Sequence, residues 1–172
     1  MEPLPTRRLV LLPLDADRAR RLAAGQPGPG DRRAEGYPDA GDRAGAERYL
    51  RVLADTGDPA PYGAFEIQRR SDGLLIGGAG FHGPADGEGR VAVGYGLVPA
   101  ARGQGYAAEA LRALLEHARA HGAVSVLGDT DRENTASRHV MTSAGMLSVG
   151  EDERLLYYAV SWARAGRVGA AA

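Results

Sequence analysis

The chain has 172 residues, 44% hydrophobic and 25% charged, with 25 Gly, 10 Pro, a formal charge of −1 and neither Cys nor Lys. That is one domain with enough apolar sequence for a packed core; its near-zero charge gives no sign of nucleic-acid binding, and no apolar run reaches the ~20 residues of a membrane span. The missing Cys excludes thiol catalysis and Cys-ligated zinc, and the missing Lys excludes Schiff-base enzymes and the phosphate-loop NTPases.

Arg7 to Leu14 is an apolar run that predicts a strand. Asp15 is placed to cap a helix running to Ala24, with Gly25 as its stop, and Arg18, Arg20 and Arg21 read as its solvated face. Residues 26–42 (QPGPGDRRAEGYPDAGD) predict a mobile loop. In the next helix Ala46, Tyr49, Leu50 and Leu53 recur at helical spacing as an apolar stripe. The middle is β: Ala64 to Gln68, a turn at Ser71-Asp72-Gly73, Leu74 to Phe81, a second turn at 83–89, and Arg90 to Val98. A helix from Gln104 to His121 buries Leu111, Leu114, Leu115 and Ala118 and stops at Gly122. Ala123 to Leu127 predicts a strand, Asn134 to Ala144 a helix, and Met146 to Trp162 a strand pair with one of Tyr157 and Tyr158 facing inward. The reading is one α/β (α+β) domain over residues 6–162, with a flexible tail from Ala163. Met1-Glu2-Pro3-Leu4-Pro5 lacks signal-peptide character, so the cytoplasm is the expected location.

The informative segment runs from Gly94 to Ala107 (GYGLVPAARGQGYA). A strand leads into a Gly-rich turn, and a helix begins inside that turn. The first amides of a helix have no internal acceptor and sit at the positive end of its dipole, so with Gly103 and Gly105 clearing the approach they suit a diphosphate. Gly94 and Gly96 fall within the strand, where glycine marks a bulge or a close backbone approach. Phosphate site and open strand are therefore consecutive. A long ligand with a diphosphate at one end and an amide-bearing chain at the other fits both.

Arg102-Gly103-Gln104-Gly105-Tyr106-Ala107 resembles the Gln/Arg-x-x-Gly-x-Gly/Ala signature of the GNAT superfamily of acyl-CoA-dependent N-acyltransferases. Thr6 to Leu11, Gly94-Tyr95, Glu109-Ala110-Leu111, Glu133-Asn134-x-x-Ser137 and Ala144-Gly145 resemble its ribosomal-protein N-terminal acetyltransferase-like subgroup. The resemblance implies a mixed sheet of about six to seven strands, splayed after the fourth, with about four flanking helices. It implies acetyl-CoA as cosubstrate, no metal, and an amine acceptor that is a protein N-terminus or a small molecule. Dimers are common in such relatives, so a homodimer is among the expected partners. The amides of residues 103–107 would hold the pyrophosphate of coenzyme A, Leu97 and Val98 would pair with the pantetheine, and Arg102 and Asn134 join the expected binding residues. A backbone N–H near Leu97 would polarise the thioester carbonyl.

Some positions depart from the pattern. Met141 stands where many superfamily members carry a Tyr as acid to the departing thiolate, and Met146 where a Phe is usual. The subgroup offers Ser137 in place of that acid; a helical Ser bonded to its own turn and a plain N-cap for Asn134 are the structural alternatives. Ala92 stands where a carboxylate is frequent, which leaves Glu66 on the facing strand as the expected base and His82 as the second choice. An α-amine, with pKa about 7.7–8.0, is roughly a tenth neutral at pH 7, whereas a lysine-like amine near 10.4 is neutral only at ~10⁻³–10⁻⁴. A site without the usual carboxylate therefore suits a low-pKa amine. The acceptor pocket is expected between the 26–42 loop and the 83–89 turn.

Other readings remain open at this level. Gly103-x-Gly105-x-x-Ala108 followed by Asp129 also satisfies a dinucleotide fingerprint, although too little chain follows for a doubly wound sheet. A catalytically silent acyl-CoA binder would tolerate the lost Tyr and carboxylate. His117 and His121, one helical turn apart, read as a solvated face rather than a metal site.

Overall fold

A computed structural model describes residues 1–162; the expected flexible tail from Ala163 lies outside the described residues. Eight strands form one sheet: β1 (Leu4–Pro5), β2 (Leu9–Pro13), β3 (Ala64–Arg69), β4 (Leu75–Phe81), β5 (Arg90–Leu97), β6 (Ser125–Asp131), β7 (Leu147–Glu151) and β8 (Leu155–Ser161). Their order is β1-β2-β3-β4-β5-β6-β8-β7. The helices are α1 (Ala16–Ala23), α2 (Ala40–Thr56), α3 (Tyr106–Ala120) and α4 (Thr135–Ser143). The extra strand relative to expectation is β1, whose two residues are too few to leave a period in the sequence.

Strands β5 and β6 run parallel, and they pair only where Arg90, Val91 and Ala92 meet Ser125, Val126 and Leu127. Beyond that point they part. The rest of β5 stays on β4, and the rest of β6 stays on β8. The expected splay is thus present at the end of the strand built from Arg90 to Leu97. With a single parallel strand pair, the sheet is not doubly wound, which removes the dinucleotide reading.

The two faces of the sheet differ in character. One carries Leu9, Leu11, Phe65, Ile67, Leu75 and Val93, all buried. Helix α3 covers it with the expected stripe of Leu111, Leu114, Leu115 and Ala118, each of them buried. Every such leucine contributes about 1.5–3 kcal/mol of burial. On the opposite face, under α2, the register pairs Gly80 with Gly94 and Gly78 with Gly96. Four missing side chains leave a trough there. At Gly80 the absence is obligatory, because a Cβ would lie 2.6 Å from the Ala64 Cα.

Residues 26–42 are not the mobile loop the composition suggests. Leu75 donates its N–H to Arg32 O at 2.7 Å, Ala34 donates to Leu75 O at 3.0 Å, and the buried Tyr37 hydroxyl donates to Glu66 Oε1 at 2.8 Å. Main-chain pairing with β4 and one buried phenol pin the segment to the sheet, a tertiary effect with no local sign. Arg18 departs from its expected solvated role: its guanidinium bonds Glu66 and lies 3.6 Å from Asp31. His117 is half-buried, its ring packed against Phe81 and His121 with Nε2 2.8 Å from Pro61 O, while His121 stays exposed. Among the described residues no cluster of His, Asp and Glu suits a metal ion. Tyr158 is buried and Tyr157 exposed, as alternation requires.

Candidate active site

The loop before α3 has the geometry of an anion cradle. Gly103 and Gly105 have φ of 72° and 77°, a region that costs an L-residue roughly 1–2 kcal/mol. Gly105 caps α3 without a side chain, and Glu109 N–H makes a helical bond to Gly105 O at 3.1 Å. The amides of Tyr106, Ala107 and Ala108 therefore precede the helical ladder and are free for an anion. A Cβ on Gly103 would meet nothing within 4 Å, so the approach is open. These features fit the diphosphate of coenzyme A.

Side chains hold the loop in place. Arg102 Nε donates to Leu97 O at 2.9 Å, and the Gln104 amide donates to Ala100 O at 3.1 Å. From β2's approach, Arg8 donates to Gln104 O at 2.9 Å and to Glu109 at 2.6 Å, with its guanidinium 4.6 Å over the Tyr106 ring. Arg102 and Gln104 thus brace the loop, while its backbone stays available.

The open strand follows from the hydrogen-bond alternation of β5. His82 N–H bonds Ala92 O at 2.8 Å and Val98 N–H bonds Ile76 O at 2.9 Å, so even-numbered residues of β5 face β4. Val93, Tyr95 and Leu97 turn their amides toward the splay. The structure therefore separates the two expected pantetheine contacts: Leu97 N–H faces the gap, and Val98 spends its N–H on β4.

Across the gap, Asn134 caps α4, its Oδ1 accepting the Ser137 N–H at 3.0 Å. Ser137 Oγ lies 2.8 Å from the Tyr95 hydroxyl, which also reaches Ser137 O at 3.2 Å. Burial raises the Tyr95 pKa, partly offset by the bond to Ser137. Met141 and Met146 are buried in the core, and a Cβ on Gly128 would come 3.2 Å from Met141 Cε. Gly94-Tyr95 is part of the resemblance noted in the sequence, but no role for Tyr95 follows from it; its position across from α4 gives it Ser137 as a partner.

Between α2 and the glycine trough lies a cavity of about 320 Å³. Asp39, Asp42, Arg48 and His82 line it above the floor of Gly78, Gly80, Gly94 and Gly96. Residues 26–42 contribute Asp39, Gly41 and Asp42 to its lining, and no residue of the 83–89 turn lines it. His82 lies over β5, with Nε2 2.7 Å from where a Cβ of Gly94 would stand. Its pKa is lowered by burial and by Arg48, against a raising effect of Asp129. Burial pushes the Asp42 carboxyl up to about 7, despite the Asp39 N–H that favours its charged form. Glu66 is 1% exposed, is bonded by Arg18 and Tyr37, and does not line the cavity.

The family comparison matches residues 8–147 to the GNAT acetyltransferase domain. Comparison with curated proteins gave no match. Solved structures of similar fold include an acetyltransferase from Agrobacterium tumefaciens, 24% identical, with 94% of this chain and 95% of that one covered at a TM-score of 0.63. The ribosomal-protein-S5-alanine acetyltransferase from Vibrio fischeri is 12% identical, with 94% and 97% covered at 0.66. RimL, a ribosomal α-N-protein acetyltransferase solved with coenzyme A, is 16% identical, with 93% and 98% covered at 0.67. At these identities the likeness is one of fold, and the family match carries the chemistry. The chain belongs to the GNAT acetyltransferase family, enzymes that use acetyl-CoA as acetyl donor.

Proposed function

We propose that this enzyme acetylates a low-pKa primary amine, such as a protein N-terminal α-amine or a small amine, bound in the cavity under α2. The observation that carries the reading is the double exposure of one stretch of β5. From Gly94 to Leu97 its edge opens onto the splay and its glycine face forms the cavity floor. A thioester lying along the edge and an amine resting on the face meet there without a covalent intermediate. The loop amides bind the diphosphate, the Leu97 N–H is available to polarise the carbonyl, and Ser137, oriented by Tyr95, donates a proton to the departing thiolate. Asn134 acts through Ser137 as its cap. No helix among the described residues is long and apolar enough to cross a membrane, and the cytoplasm fits as the place of action.

The test is thiol release from acetyl-CoA with three acceptor sets. These are peptides with free N-terminal Ala or Ser, N-terminally blocked peptides carrying one Lys, and small primary amines. Turnover of a free α-amine or small weak amine at least tenfold above the Lys peptides is expected. Acetylation confined to Lys side chains would overturn the acceptor assignment. Tight acetyl-CoA binding with no amine-dependent thiol release would make the protein a silent binder.

A further inference from the structure

A buried carboxylate needs a hydrogen bond or a counter-ion for each of its oxygens. Asp42 is 8% exposed and has half of what it needs. Its Oδ2 accepts the Asp39 N–H at 3.0 Å within the capping box that starts α2. Its Oδ1 accepts no hydrogen bond from the described residues. It points at the cavity floor, 3.0 Å from where a Cβ of Gly78 would stand. Arg18, the cation bonded to nearby Glu66, is committed to Glu66 and Asp31. No ion pair to Asp42 is present among the described residues. The free oxygen thus sits in a cavity, without a cation, above the register pair of Gly78 and Gly96.

Gly96 lies within the stretch of β5 whose edge opens onto the splay. The groups around the carboxylate are Asp39 on its own turn, Glu66 from β3 with its partners Arg18 and Tyr37, and, toward the far end of the cavity, Arg48 and His82. The near carboxylates favour a cation at the Asp42 end. Arg48, exposed and without an ion-pair partner among the described residues, disfavours one at its own end.

We propose that Asp42 is the catalytic carboxylate of the acceptor cavity, receiving the incoming amine as its ammonium ion and accepting the proton that frees the nitrogen for attack. This rests on the transferase reading above. The ammonium gives one proton to Asp42 Oδ1, and the nitrogen lone pair forms the new N–C bond at the thioester carbonyl carbon. The C–S bond breaks, and the nitrogen's second proton reaches the departing sulfur, directly or through Ser137. The products are the amide, the free thiol and a protonated Asp42, which returns its proton to water. A burial-raised carboxyl matches an α-amine in basicity far better than an ordinary surface Asp does.

The experiment compares the wild type with Asp42→Asn, which retains an oxygen for the Asp39 N–H, and with His82→Ala. Thiol release is followed from pH 5.5 to 9 with the best acceptor found above. It is repeated with 2,2,2-trifluoroethylamine, a primary amine that is already largely neutral at pH 7. Asp42→Asn is expected to lose on the order of 10²-fold in kcat with the ordinary amine, to lose much less with trifluoroethylamine, and to bind acetyl-CoA like the wild type. An unchanged kcat, an equal loss with both amines, or an acid limb abolished by His82→Ala alone would overturn the proposal.

A second readout separates this from failure of the transferase reading. Ethylamine binding to the coenzyme A complex is measured by calorimetry at pH 8, without turnover. A tenfold loss of affinity in Asp42→Asn supports the ammonium site even if no acceptor is acetylated. Equal binding by both proteins removes it.

Discussion

The hydroxyls of Tyr95 on β5 and Ser137 on α4 lie 2.8 Å apart, a side-chain bridge over the gap where β5 and β6 separate. The pair joins the edge that faces the donor to the helix that carries the candidate acid. Ser137→Ala should lower kcat on the order of 10²-fold while leaving acetyl-CoA affinity within about twofold. Tyr95→Phe should cost less, since water can partly replace the lost hydroxyl. The double variant should be no slower than Ser137→Ala, because the two act as a unit. Additive losses in steady-state kinetics would show instead that they act separately.

Much of this site was readable in the sequence because its parts are local. Gly103 and Gly105 announce a backbone conformation, Asn134 stands three residues from the amide it caps, and the α3 stripe follows the 3.6-residue period. What was hidden depends on contacts between distant segments. Tyr37 reaches Glu66 from 29 residues away, and Arg18 reaches it from 48. Glu66 looked like a strand carboxylate facing the site, but those two partners occupy it beneath α1. Asp42 fell in the expected loop, whereas in the structure it is the third residue of α2, in the capping box that starts the helix. Only the position of α2 over Gly78 turns its other oxygen toward a cavity.

Glycines of the trough should divide into two classes. A Cβ on Gly80 would lie 2.6 Å from the Ala64 Cα, a backbone atom that cannot yield, so Gly80→Ala should destabilise the fold by about 1–3 kcal/mol. A Cβ on Gly96 would meet nothing within 4 Å. Gly96→Ala should therefore keep the melting temperature to within a few degrees and raise the KM for the amine. Thermal melts beside steady-state kinetics check both.

Glu66 should behave as a structural carboxylate. Glu66→Ala strands Arg18 and Tyr37 in a buried site, at a cost of about 3–5 kcal/mol. Glu66→Gln retains one acceptor and should lose less. For Glu66→Gln, kcat per folded molecule should stay within about twofold of the wild type. A hundredfold fall in kcat with an unchanged denaturation midpoint would return Glu66 to the chemistry.

Asp42 predicts an opposite relation between stability and activity. Its folded pKa is about 7, raised by burial from an ordinary value of 3.8. Between those values the folded state binds a proton that the unfolded state has released. Stability from this group is therefore fully present below about pH 4 and is lost as pH rises toward 7, by a few kcal/mol in all. Above pH 7 the protein holds a largely buried carboxylate in its charged form, its Oδ1 facing the cavity with no ion-pair partner among the described residues. Asp42→Asn removes that charge and keeps the cap, so it should be more stable than the wild type at pH 8 while being the slower enzyme. The difference in unfolding free energy between the two proteins should shrink as pH falls from 8 to 5. Urea melts at both pH values measure it directly. A difference that stays constant across that range would mean that Asp42 is already an ordinary, solvated carboxylate in the folded protein.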